Sequence, residues 1–265
     1  MLQAQTISRE VFRQKRNNPS ETKRRTSKIS DDLAILLGLL YTDGCISPKQ
    51  VNSYRIYFAV KSRTLADIFE TAIKREFNLD KVLRSITRDG LYCRVVNSKE
   101  IGNYLVSRFG TFRTLKFKDG RLPDTRLPVD DLIKSKKVQL FLRAAFCGDG
   151  GISFYTAYRS GTRGGTKWLI RTVFLACEHP SLRKDYVQLL KNLGIMSRNV
   201  PGDGKIKIED EVNIKKFHQM IGFFPGVEVT NSKYWVGFTK QEVLEILVGS
   251  YGQPSRVYNL AKFNR

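Results

Sequence analysis

Two stretches of this chain read alike: Leu36-Leu37-Gly38-Leu39-Leu40-Tyr41-Thr42-Asp43-Gly44 and Leu142-Arg143-Ala144-Ala145-Phe146-Cys147-Gly148-Asp149-Gly150. Each is an almost wholly apolar run that stops at Asp-Gly, the pattern of a helix packed on most sides. Ser30 suits the N-cap of the first helix, with Asp31 and Asp32 at its positive start, and Ser135 takes the same place before the second. Small residues recur four apart, Gly38 and Thr42 in one copy, Ala144 and Gly148 in the other. That spacing puts them on one face and lets two backbones approach closely. Packed in parallel, the two helices would finish side by side, with Asp43 and Asp149 as neighbours.

The elements after each helix also repeat. The first is succeeded by strands at Cys45–Ser47 and Tyr54–Lys61, a helix at Ser62–Phe77, a hairpin turning at Asp89-Gly90 and a helix at Ser98–Phe109. The second is succeeded by strands near Ile152–Tyr155 and at Trp168–Ala176, and a helix at Pro180–Leu193. A hairpin turning at Gly202-Asp203-Gly204 and a helix around Val212–Ile221 complete that copy. The sequence therefore predicts an α+β protein of two αββαββα halves, each with an antiparallel sheet. The boundaries read as a basic extension over 1–29, a first half over 30–122, a linker over 123–134, a second half over 135–239 and a C-terminal helix and tail over 240–265. The Gln241–Val248 helix reads as a structural cap, and the loop Ala157–Thr166 as a surface insertion of the second copy.

Two carboxylates converging at two negative helix ends oppose each other's ionisation. A divalent cation beside them removes the conflict, because hard cations take carboxylate and carbonyl oxygens. Such a cation can activate water and stabilise the leaving oxygen of a phosphodiester. A single Asp-Gly is an ordinary helix stop with a left-handed glycine. Two at matched positions, with matched small residues, point to a site.

The composition narrows the partner. The chain has 265 residues, with 46 Lys and Arg against 25 Asp and Glu, a formal net charge of +21. That balance suits a polyanion, most simply nucleic acid. The longest apolar run, Leu33–Tyr41, is far short of the roughly 20 residues of a membrane span, and the first thirty residues are polar and basic. A cytosolic or nuclear location is expected, nucleoid-associated in a prokaryote, without secretion or a membrane partner. Four scattered cysteines and two histidines exclude a zinc finger or a His-metal nuclease, and they read as reduced, mostly buried thiols.

The paired nonapeptides and the order of elements resemble the LAGLIDADG homing endonuclease family, in its two-motif single-chain form. The resemblance runs from Ser30 to about Gly222. It implies a pseudo-twofold pair of halves with saddle-shaped sheets on duplex DNA. It also implies that the last acidic residue of each motif, Asp43 and Asp149, holds Mg²⁺, with Mn²⁺ as an alternative and Ca²⁺ as a non-catalytic substitute. Gly44 and Gly148 join the expected metal set. The earlier acidic position of the motif holds Tyr41 and Cys147 here, a departure at a position that is not the metal ligand.

Strand alternation supplies the candidate DNA contacts. Arg55, Tyr57 and Lys61 share one face of their strand, and Lys205 and Lys207 one face of another. Lys49, Arg84, Arg88 and Arg94 are placed around the first sheet, and Tyr155, Arg159, Lys167 and Arg171 around the second. Lys61 is also expected to support catalysis near the scissile phosphate, its counterpart in the second copy being Ala176-Cys177. Lys116 and Lys118 are further candidates for that role.

The expected activity is thus a monomeric, Mg²⁺-dependent endonuclease that cuts both strands of a long, nearly non-palindromic site and leaves 3′ overhangs, with no obligate protein partner. An opening Met1 and an end without His-Asn favour an intron-encoded or free-standing enzyme over an intein. Two alternatives stand beside it. One is an RNA maturase that assists splicing of intron RNA. The other is a binding-only regulator.

Overall fold

The computed structural model describes residues 28–50, 53–159, 166–230, 232, 234–253 and 260. The side chains of Lys49, Arg159 and Lys167 lie outside the described residues, as do positions 1–27 of the basic extension and 160–165 of the long loop.

Helix α1 (Asp31–Leu40) leads into β1 (Gly44–Gln50) and β2 (Ser53–Val60), then α2 (Arg63–Phe77), β3 (Leu83–Ile86), β4 (Tyr92–Asn97) and α3 (Lys99–Phe109). A short helix, α4 (Val129–Lys134), precedes α5 (Val138–Gly148). Next come β5 (Gly150–Arg159), β6 (Thr166–Ala176), α6 (Pro180–Asn192), β7 (Arg198–Val200), β8 (Lys205–Ile208) and α7 (Glu211–Met220). Helix α8 (Lys240–Gly249) comes after the duplicated unit. The two sheets run β1-β2-β4-β3 and β5-β6-β8-β7, antiparallel throughout, so the duplication read from sequence is a duplication of topology.

Local chemistry sets most helix starts. Ser30 Oγ accepts from Leu33 N at 3.0 Å, and Ser62, Ser98 and Asp210 cap α2, α3 and α7 in the same way. The expectation for Ser135 is corrected. It ends α4, its hydroxyl accepts from Ile29 N at 2.9 Å, and Lys136 takes a left-handed turn (φ 58°) before α5 starts after Lys137. The segment read as a linker thus contains a helix, and Ser135 staples the two halves at the helix starts.

The core is one continuous cluster centred on α1 and α5. Gly38 lies directly against α5: a Cβ built there would sit 2.5 Å from Phe141 O and 2.7 Å from Ala144 Cβ. At the other end of the helix pair, a Cβ on Gly148 would sit 2.4 Å from Thr42 Oγ1. The small-residue stripe is the contact itself, and the helices run parallel as the spacing requires. No helix of the described residues is long and apolar enough to cross a membrane. All four cysteines are free thiols, Cys45 exposed, Cys93 and Cys147 buried, and Cys177 between.

Gly38→Val should force the two helices apart against backbone. The expected loss is about 1–3 kcal/mol, the usual scale of overpacking, read from denaturant unfolding. An unchanged midpoint would contradict the close contact.

Candidate active site and nucleic-acid interface

The two helix ends bring Asp43 and Asp149 together, as the matched spacing predicts. Gly148 leaves just enough room: a Cβ there would stand 2.7 Å from Asp43 Oδ2. That oxygen is buried and has no hydrogen-bond partner among the described residues. Desolvation at the helix junction and, after it, the charge of Asp43 push the Asp149 carboxyl up to about 7, although the residue keeps an exposed edge. Asp43 is raised for the same first reason, opposed by Lys240 and by the Thr42 hydroxyl. Gly44 and Gly150 are required for approach and not for a left-handed turn. Their φ values are not positive, and a Cβ on either would stand 2.5 Å from Leu40 Cα or 2.4 Å from Phe146 O.

The departures at Tyr41 and Cys147 have parallel uses. Tyr41 Oη donates to Phe109 O (3.1 Å) and Arg126 O (3.0 Å), and Cys147 Sγ accepts from Phe224 N (3.2 Å). Each ties its helix end to the chain at or beyond the last helix of its own copy.

Sequence reading missed Lys240. It is buried at the start of α8, and its Nζ donates to Cys147 O and Gly150 O at 2.7 Å, with Gly148 O at 3.3 Å and Phe146 O at 3.4 Å. An ammonium at these carbonyls offsets the negative end of α5 and stands as counter-charge to both aspartates. Burial lowers the Lys240 pKa, and Cys147, Asp43 and Asp149 oppose that fall. No local pattern marks this lysine, because its partners lie about 90 residues away. The end of α1 has a different device: Thr42 Oγ1 bonds Gly38 O at 3.2 Å and Leu39 O at 3.1 Å.

An orphaned carboxylate oxygen beside a second carboxyl of raised pKa suits a hard divalent cation. Among the described residues no three His, Cys, Asp or Glu come together, so such an ion would rest on Asp43, Asp149 and backbone carbonyls. Of the expected carbonyls, that of Gly148 is shared with Lys240.

Register decides which basic residues face the open side of each sheet. In the first, Ile56, Phe58 and Val60 are buried against the helices, Lys61 is exposed just beyond the strand, and Arg55, Tyr57 and Ala59 alternate onto the other face. There Arg55 lies over the Tyr57 ring at 4.9 Å. Arg94 pairs with Phe58, and Arg84 with Arg94, which puts both on the helix side. Arg94 is buried between Asp67 and Glu70, and Arg84 holds Glu70 at 2.7 and 2.8 Å. Neither belongs to the open face, which corrects their place among the DNA contacts. Arg88 is exposed in the β3–β4 turn.

In the second sheet Lys205 and Lys207 pair with Ala176 and Phe174 on the open face, where Tyr155 and Trp168 are also exposed. Trp168 was not among the expected contacts, although its alternation with the buried residues of β6 places it on this face. Arg171 pairs with Phe154 on the opposite face, its Nε donating to Ser250 Oγ at 2.7 Å and its Nη2 to Ser250 O at 2.9 Å, so it too leaves the DNA set. Lys167 shares the register parity of Arg171.

Register also corrects the counterpart of Lys61. Gly44 pairs with Phe58 and Gly150 with Leu175, and Ser62 and His179 cap the next helices. Lys61 therefore corresponds to Glu178, one position beyond Ala176-Cys177. Both are exposed beside their helix caps, with opposite charges.

In metal-free buffer, folded Asp149 keeps its proton to about pH 7, whereas the unfolded chain releases it near 3.8. The folded state binds more protons in that window, so stability should fall as pH rises through it. Asp149→Asn should flatten the slope in urea titrations across pH. Lys240→Met leaves buried carbonyls without a donor and should cost about 1–3 kcal/mol by denaturant unfolding. The loss should shrink when Asp43 and Asp149 are both Asn, and an equal loss in both backgrounds would remove the counter-charge role.

Residues 30–110 match the family model of the LAGLIDADG-like domain. No curated protein matches the sequence significantly. Among solved structures, the LAGLIDADG meganuclease I-AabMI bound to uncleaved DNA superposes with a TM-score of 0.53 at 12% identity, over 89% of this chain and 98% of that one. The homing endonuclease I-DmoI, in complex with DNA and Mn, gives a TM-score of 0.47 at 17% identity, over 73% and 97%. I-WcaI on its DNA recognition sequence gives 0.45 at 13%, over 82% and 96%. The first half thus resembles a LAGLIDADG-like domain, and the two halves together have the fold of the LAGLIDADG homing endonucleases.

Proposed function

We propose that this chain is a site-specific endonuclease of double-stranded DNA, acting as a monomer on a long, nearly non-palindromic site. The observation that carries this reading is the convergence of Asp43 and Asp149, one with an orphaned buried oxygen, between two sheets of identical topology. The open faces of those sheets carry Arg55, Tyr57, Lys205 and Lys207, and Lys61 is exposed just past the end of β2. Strands so equipped lie along a groove, where arginine and lysine meet base edges and phosphates.

Asp43 and Asp149 would hold Mg²⁺, which when bound activates water and stabilises a leaving oxygen. The remaining work falls to the chain's own residues. Lys61 neutralises charge on the scissile phosphate at the first half-site. Glu178 provides no such charge at the second. Lys240 keeps the end of α5 in place while the carboxylates are ionised. We further infer hydrolysis of one phosphodiester on each strand with 3′ overhangs, a cytoplasmic location, and an origin as an intron-encoded or free-standing enzyme.

A plasmid library of randomised inserts, incubated with Mg²⁺ or with EDTA, tests the reading. Metal-dependent linearisation of a subset of plasmids is expected, and Asp43→Asn or Asp149→Asn should lower its rate on the order of 100-fold or more. Cutting that survives either substitution would refute the site. No cutting, with tight binding of structured RNA, would favour a maturase, and sequence-specific binding without cutting would favour a regulator.

A further inference from the structure

Between α3 and α4 the chain leaves the body of the protein and returns. The two legs of this excursion are anchored at the carboxylate end of the helix pair. Tyr41, two residues before Asp43, bonds Phe109 O and Arg126 O and packs on the Phe112 ring at 4.7 Å. His179, next to Glu178, donates from Nε2 to Pro123 O at 2.8 Å. Thr125 Oγ1 bonds Arg113 O across the neck. Phe112, Pro123 and Thr125 are buried, and everything between 113 and 122 is exposed except half-buried Thr114.

The exposed part is an ordered finger. Phe117 N donates to Arg121 O at 2.8 Å and Gly120 N to Phe117 O at 3.0 Å, closing a turn in which Gly120 has φ 81°. Arg113 braces it from inside, with Nε on Leu115 O at 3.0 Å, Nη2 on Lys116 O at 2.8 Å and its guanidinium 4.8 Å over the Phe117 ring. With Arg113 so used, Lys116, Lys118 and Arg121 point their charge outward, and Asp119 answers only Arg121. Leu115 is 70% and Phe117 44% exposed, an apolar tip turned to solvent. Ten residues thus carry four cations and one anion, on a neck anchored at Tyr41 and His179.

We propose that residues 113–122 form a phosphate-gripping finger that holds duplex DNA against the carboxylate centre, outside the two sheets. The assignment rests on the DNA reading above. Its chemistry is complementary: the cations meet backbone phosphates, and the apolar tip lies along the sugar wall of a groove. Lys116 and Lys118 then bind the duplex as part of a preformed element and are not positioned to serve a reacting group alone.

Salt dependence of binding reads phosphate contacts directly, and it needs only a labelled non-specific duplex in Ca²⁺ or EDTA. Each phosphate neutralised contributes about 0.9 to the slope of log affinity against log salt. The variant K116Q/K118Q/R121Q should lower that slope by about 2–3 with an unchanged melting temperature. The control K184Q/K191Q/K215Q removes as many charges from α6 and α7 and should leave the slope alone. An unchanged slope in the finger variant, or an equal fall in the control, overturns the proposal while leaving the DNA reading intact. A fall in affinity for structured RNA alone assigns the finger to RNA and overturns it as well. Wild-type protein that binds duplex DNA without salt dependence removes both readings.

Discussion

Everything in this molecule hangs on one contact, the approach of α1 to α5 across Gly38, Ala144, Gly148 and Thr42. Side chains larger than these would hold the helices at ordinary spacing, and the two aspartates would end too far apart to sense each other. Because the helices touch through backbone, Gly148 lies against the Asp43 carboxylate. The same contact orients the sheets, since β1 and β5 leave their helices immediately after the paired Asp-Gly steps. Packing and chemistry are therefore a single constraint. A substitution that relieves crowding between the helices also loosens the site.

Electrostatics at that junction is held in balance by unequal means. Two carboxylates and two helix ends concentrate negative charge at one junction, where Asp43 is half-buried and Asp149 reaches solvent. The first helix satisfies its last carbonyls with a hydroxyl, Thr42, and the second with an ammonium, Lys240. A hydroxyl is neutral and local, whereas the ammonium also offsets the carboxylates. The halves share a topology, but the centre between them is not symmetric. Lys61 and Glu178, at equivalent places, extend that asymmetry to the exposed surface beside the two helix caps.

How much of this was legible in the sequence depends on distance along the chain. Asp43, Asp149 and the small-residue stripe are local patterns that occur twice, and repetition made them readable. The strands at 54–61 and 205–208 betrayed their faces by alternation. Arg84, Arg94 and Arg171 misled because alternation within one strand does not say which face is covered. That depends on pairing with Phe58 and Phe154, and on acids or hydroxyls supplied by α2 and by Ser250. The counterpart of Lys61 was misplaced by a single position, which in a strand is enough to change faces. Lys240 had no signature, since it is defined by contacts across the fold, whereas the finger showed in the sequence only as Lys116 and Lys118.

Lys240 has a consequence for how the protein comes into being. It lies downstream of both duplicated halves, so a chain being synthesised completes both sheets and both aspartates before the ammonium is made. Until α8 docks, the carboxylates face each other without their fixed counter-charge, and the last turn of α5 lacks its donor. A product cut short before residue 240 would lack that ammonium together with the core side chains Val243, Leu244 and Leu247. The fixed counter-charge of the centre is thus made only after both of its carboxylates.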